Sequence, residues 1–414
     1  MNLKKQIITL FISLSFKSLG FAQQPNSPFS SQRQYPFEEY NCLKAVLKGE
    51  VDSLLKCTDS RNIKFLQKKL LELGYSLPKT RESGKWDLAT KNAISRYKKY
   101  NNITDANDQT LLSFIENELS NKDTSVDFRY EYDKLLSDNQ LNITIAIGFE
   151  EDLLYLQLIQ SMKSWLLSHQ FAPKTIAGVK ETYYSKRSIN KSDSLIDVWI
   201  TFISPGKGAA SEFINKLKED EIILYLGHAR GGIGPDFDHK NNPSEQIVFG
   251  KNSNLHPPTA NKLQLPSDNY YKTVTCPSKN DLEILLRNDA SWSQEYRVWF
   301  FNACNTFYYL DEFRNGLLPS NINSKNLDLL LSDDLTPIEG YFDTSIIFLE
   351  ALFNGAGLTK TINAINISNS QTINKLKKIY PDKAKIFEVR KNQYFFDGIF
   401  DNPKLGDIKL EKSE

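Results

Sequence analysis

Apolar residues fall into two regimes along this chain. Between Asn62 and Leu119 they recur every three or four positions, with Ile63, Leu66, Leu70 and Leu73 on one stripe. After a turn at Gly74-Tyr75 come Leu88, Ala93, Ile94 and Tyr97 on a second stripe, and a third stretch starts near Asp108. That period lays one face of each helix on a shared core and predicts a small three-helix unit. From residue 143 onward, short and almost uninterrupted apolar runs alternate with amphipathic ones. Strands are predicted at 143–149, 195–204, 222–226, 298–301 and 327–332, and helices at 151–169, 209–219, 306–314 and 344–353, the last closed by Asn354-Gly355. Runs without polar alternation belong to strands covered on both faces, so this half predicts an α/β domain with a mainly parallel sheet flanked by helices. Residues 359–380 read as two further helices, and the tail from Phe395 carries no pattern that assigns it.

Composition adds order to that picture. A chain of 414 residues, 40% apolar and 24% charged, has the material for two or three globular units. Residues 1–22 read as an export signal, with Lys4 and Lys5 before a mostly apolar stretch and Gly20-Phe21-Ala22 as the cleavage site. The apolar stretch is short of a spanning length and Lys17 interrupts it, so no stable membrane anchor is expected. Residues 23–37, rich in Gln, Ser and Pro, read as a flexible leader. The helical unit then occupies 38–120, a charged linker 121–138, and the α/β domain with its C-terminal helices 139–414. With 51 basic and 50 acidic residues the chain is nearly neutral, which argues against nucleic acid as a partner.

Export to the periplasm or the exterior would be disulfide-permissive. Cys42 and Cys57 lie 15 positions apart, and a bridge between them would contribute about 3 kcal/mol through loop closure. Cys276 and Cys304 remain, either bridged to each other or present as thiols.

Two of the predicted strands end in a reactive side chain. His228 leaves the 222–226 run into a loop holding Gly227, Gly231, Gly232 and Gly234, and Cys304 leaves the 298–301 run just before a predicted helix. Ligands of open α/β sheets sit at the carboxyl ends of the strands, so the pattern predicts a Cys304/His228 dyad. A cysteine attacks a carbonyl as its thiolate, which the following helix N-terminus would favour and His228 would generate as general base. Asp236 and Asp238, just beyond, either pair a basic residue of a peptide substrate or only form the turn. Asp333-Asp334, after the 327–332 strand, are placed in the same way. His228, Asp236, Asp238 and His239 are also metal-ligand types in one loop, which a metallohydrolase would use. No HExxH or GxxxxGK[ST] spacing accompanies them, and neither metal nor other cofactor is expected.

Two resemblances sharpen these expectations. Leu66-Gln67, Leu70, Gly74-Tyr75, Gly84-Lys85-Trp86-Asp87, Thr90, Ala93, Tyr97, Asn107-Asp108 and Thr110-Leu111 resemble the three-helix type of peptidoglycan-binding domain. That resemblance implies a module that binds peptidoglycan or another cell-wall polymer. The Ser-His-Gly-Cys segment of the wall-modifying transpeptidases that often carry such a module is missing from the sequence. Residues 140–355 resemble the caspase-like cysteine peptidases, the superfamily of gingipains, clostripain, legumain and the caspases. The likeness rests on an apolar strand ending in His228, with glycine before it as Gly227, and a later strand ending in Ala303-Cys304. It implies hydrolysis of a peptide or protein substrate, with the oxyanion held by the amide of Cys304 and one after the histidine, for which Gly231 is the candidate. The rival expectation is a non-enzymatic wall-binding or interaction protein that keeps the fold without the chemistry.

Overall fold

The computed structural model describes residues 40–73, 75, 77, 82–101, 103–121, 127–149, 154–175, 181–192, 194–229, 234–237, 247, 295–310, 313, 326–384, 386, 389, 393–399 and 402–403. The expected export signal and leader lie outside them.

Among the described residues before 127 there are four α-helices: α1 (Asn41–Leu47), α2 (Ser60–Glu72), α3 (Leu88–Tyr100) and α4 (Asp108–Asn121). The extra one, α1, is seven residues long, too short to show a period. Leu43, Val46, Leu66, Leu70, Ala93, Tyr97, Leu111 and Ile115 meet in one core. Leu88 does not join them, because it stands at the first helical position after the Asp87 cap and is 54% exposed. Cys42 and Cys57 are bridged, with Cα atoms 5.5 Å apart, tying α1 to the turn before α2.

Among the described residues, the chain from 127 onward forms an α/β structure around a mixed, mostly parallel sheet of eight strands in the order β2-β3-β4-β1-β5-β6-β7-β8. Its strands are β1 (Gln140–Ile147), β2 (Ala172–Lys174), β3 (Thr182–Ser188), β4 (Leu195–Ile203), β5 (Ile222–Leu226), β6 (Arg297–Asn302), β7 (Leu327–Ser332) and β8 (Tyr394–Asp397). The five from β4 through β7 run parallel, and antiparallel strands close both edges. Those edge strands are the ones the apolar pattern misses. All three residues of β2 are exposed, and β3 mixes polar with aromatic residues because it needs cover on only part of its length.

Alternate residues of the central strands feed two cores. Ile143, Ile145, Leu224, Leu226, Val298 and Phe300 pack under helices α6 (Leu154–Ser168), α8 (Tyr341–Asn354) and α9 (Leu358–Ile379). Ile223, Tyr225, Trp299 and Phe301 face α7 (Ala209–Glu219) and the segment around Tyr309 and Phe313. Two expectations change here. The region 359–380 holds one continuous helix, α9, whose inward Asn366 is satisfied by both backbone groups of Tyr394 in β8 (2.7 and 2.9 Å). From residue 127 the expected linker belongs to the sheet core, because Tyr130, Tyr132 and Leu135 are buried there. The Tyr132 hydroxyl, on the one-turn helix α5 (Tyr132–Leu135), donates to the Leu352 carbonyl at 2.6 Å. A buried ion pair, Arg96 with Asp397 at 3.8 Å, joins the helical unit to β8.

Candidate active site

Parallel pairing of β5 with β6 sets Leu226 opposite Asn302, and the Gly227 N–H still reaches the Asn302 carbonyl at 3.4 Å. His228 and Cys304 each follow by two residues. The register therefore brings the two predicted strand ends together. Close packing explains the glycine before the histidine. A Cβ at Gly227 would stand 2.8 Å from both the Gly148 Cα and the Tyr225 hydroxyl, and one at Gly148 would stand 2.4 Å from that hydroxyl. The same Tyr225 hydroxyl donates to the His228 carbonyl at 2.8 Å and accepts the Asp236 N–H at 2.9 Å, fixing the backbone on both sides of the glycine-rich loop.

Cys304 is a half-buried thiol, not a half-cystine. Its expected partner in a bridge, Cys276, lies outside the described residues. The segment after Cys304 opens as a 3-10 turn, Thr306–Tyr309, rather than as an α-helix, so the dipole expected to acidify the thiol is weak at this point. What meets the sulfur is Thr336, in the loop after β7. The Thr336 N–H points to Sγ at 3.3 Å, its hydroxyl lies 3.7 Å away, and its carbonyl is 3.6 Å from Sγ. From there a chain of hydroxyls runs back toward the histidine: Thr336 Oγ1 to Tyr341 Oη at 3.3 Å, then Tyr341 Oη to the Gly227 carbonyl at 3.2 Å. Nothing in the sequence singles out Thr336 or Tyr341, since both act through tertiary contacts across more than one loop.

Beneath the thiol, the fully buried Asn302 anchors the end of β6. Its amide donates to Thr344 Oγ1 (2.8 Å), Ser345 Oγ (3.2 Å) and the Tyr341 carbonyl (3.2 Å), and its oxygen accepts from the Tyr394 hydroxyl (2.7 Å). Burial first, and the nearby Cys304 second, push the Tyr394 phenol up. Burial likewise pushes Tyr309 well up, with Tyr225, Cys304 and Asp236 adding to it. Both phenols therefore stay protonated and neither can serve as a base.

The remaining candidates divide. Gly231, Asp238 and His239 lie outside the described residues. Asp236 is only 1% exposed, not a surface turn residue, and its carbonyl accepts from the Phe149 N–H at 3.0 Å. Asp333 is buried, and Asp334 caps its own turn by accepting the Leu335 N–H at 2.8 Å while its carbonyl accepts from the Asn305 N–H at 2.9 Å. Among the described residues no group of three or more His, Cys, Asp or Glu is placed to hold a metal, and no helix is long and apolar enough to cross a membrane.

The motif of the helical unit has a structural use. Buried Gln67 donates to Thr90 Oγ1 (2.7 Å), Ser83 Oγ (3.1 Å) and the Lys85 carbonyl (3.1 Å), and accepts the Gly84 N–H (2.9 Å). Gly84 has φ +71° and no room for a Cβ, which would lie 2.9 Å from the Ser60 carbonyl. These residues knot the α2–α3 connection together, whatever the unit binds. Compared with known proteins, the chain matches no family model, no curated protein and no solved structure.

Proposed function

We propose that this protein is an exported cysteine hydrolase, a peptidase of caspase-like architecture, held near a cell-wall polymer by its helical unit. The single observation carrying the reading is the β5–β6 register, which sets the two strand ends bearing His228 and Cys304 side by side. In the proposed reaction the Cys304 proton passes to the His228 imidazole and the thiolate adds to the scissile carbonyl. The imidazolium then protonates the departing amine, and water releases the acyl group from sulfur. The Cys42–Cys57 bridge is compatible with folding in an oxidising compartment. Support for the wall-binding role is the motif resemblance alone, since the motif residues described are engaged in holding the fold.

The test is hydrolysis of a mixed peptide library by the purified protein, alongside Cys304→Ala and His228→Ala, with pull-down on insoluble peptidoglycan in parallel. Loss of cleavage in both variants is expected. Cleavage that persists in Cys304→Ala, or its absence from the unmodified protein, would replace this reading with that of a non-enzymatic binding protein.

A further inference from the structure

We infer that Thr336 is a positioning residue that holds the Cys304 sulfur in its ionised form, using its backbone N–H and its hydroxyl together. The inference rests on the reading of Cys304 as the nucleophile. A thiol sulfur is a weak acceptor and a thiolate a strong one, so donors fixed around Sγ favour loss of its proton. The N–H at 3.3 Å is fixed by the main chain, and Pro337 behind it keeps Thr336 extended and out of a helix. Thr336 is 4% exposed, so water competes little for these donors.

The hydroxyl makes the arrangement two-state. Thr336 has one hydroxyl hydrogen and three acceptors in reach, Tyr341 Oη at 3.3 Å, the Tyr394 hydroxyl and Cys304 Sγ at 3.7 Å, while the Tyr341 hydrogen is given to the Gly227 carbonyl. With a neutral thiol the hydrogen rests on one of the two tyrosine hydroxyls, and the S–H can turn to the Thr336 carbonyl at 3.6 Å. When that S–H bond breaks and its proton passes to His228, the hydroxyl rotates onto the sulfur. The sulfur keeps both electrons, and no other bond changes.

The pH profile of iodoacetamide alkylation at Cys304 tests this, read on its own peptide by mass spectrometry in the full-length protein without substrate. Thr336→Val should move the midpoint upward, slowing alkylation at pH 7 by roughly three- to tenfold while leaving the rate at pH 10 within about twofold. Thr336→Ser should restore the original profile. Tyr341→Phe removes one of the acceptors that compete with sulfur for the hydroxyl hydrogen and should move the midpoint downward. A Thr336→Val profile superposed on the original, or an upward shift in Tyr341→Phe, overturns the inference. Because no substrate enters, a shifted profile in a protein that cleaves nothing would sink the peptidase reading and leave Thr336 its role.

Discussion

Asn302→Ala probes the seat of the thiol most directly. The substitution deletes a fully buried amide whose nitrogen serves three acceptors on α8 and whose oxygen takes the Tyr394 hydroxyl at 2.7 Å. A buried hydroxyl left without its acceptor costs about 1–3 kcal/mol, and the void left by the amide adds about 1 kcal/mol more. The three acceptors lose less. Thr344 Oγ1 still donates to the Gly340 carbonyl at 2.8 Å, so only its accepting side is affected. The expected destabilisation is therefore about 3 kcal/mol, seen as a lower urea midpoint at unchanged slope. Asn302→Leu separates the two contributions, because it fills the void without restoring a polar partner. If hydrogen bonding dominates, Leu recovers less than about 1 kcal/mol of the loss. A loss below about 1 kcal/mol for Asn302→Ala would refute the reasoning, since it would mean that the network can be dismantled without leaving anything unpaired.

Further expectations follow from the same geometry. Replacing Cys42 and Cys57 by Ser opens a 15-residue loop and should destabilise the helical unit by about 3 kcal/mol, read as a lower melting temperature that reductant no longer shifts. Gly227→Ala forces a Cβ against the Gly148 Cα at 2.8 Å, and should lose about 1–3 kcal/mol in urea unfolding together with any His228-dependent cleavage. Burial raises the Glu221 carboxyl to about 7. Across the window from about 4.5 to 7 the folded state thus holds a proton that the unfolded chain has released. Stability from this group is full below the window and falls as pH rises through it. Glu221→Gln should accordingly stabilise by about 3 kcal/mol at pH 8 and hardly at all at pH 4, a contrast that urea unfolding at the two pH values checks.

How far the sequence revealed this molecule depends on what each segment packs against. The runs 222–226 and 298–301 are apolar throughout because both faces of β5 and β6 are covered, and such runs are legible without any partner in view. β8 reads as an unassignable mix of aromatic and charged residues because its neighbours decide it. Phe396 enters one core while Asp397 meets Arg96 from the helical unit. The two strand ends bearing His228 and Cys304 are legible as such, but the pairing of those strands across a long insertion is a matter of topology that only the register supplies. Thr336 was invisible for a different reason. Its part depends on where a main-chain N–H points, and no side-chain pattern encodes that.

The Tyr394–Asn302 bond also imposes an order on synthesis. Cys304 is made some ninety positions before the tyrosine that braces its strand from the edge of the sheet two strands away. While the ribosome is still translating that interval, the sulfur belongs to a half-built scaffold whose outer strand has not arrived. Full assembly of the centre is thereby deferred until Tyr394 has been made, so a chain interrupted before it would carry the cysteine without its finished surroundings.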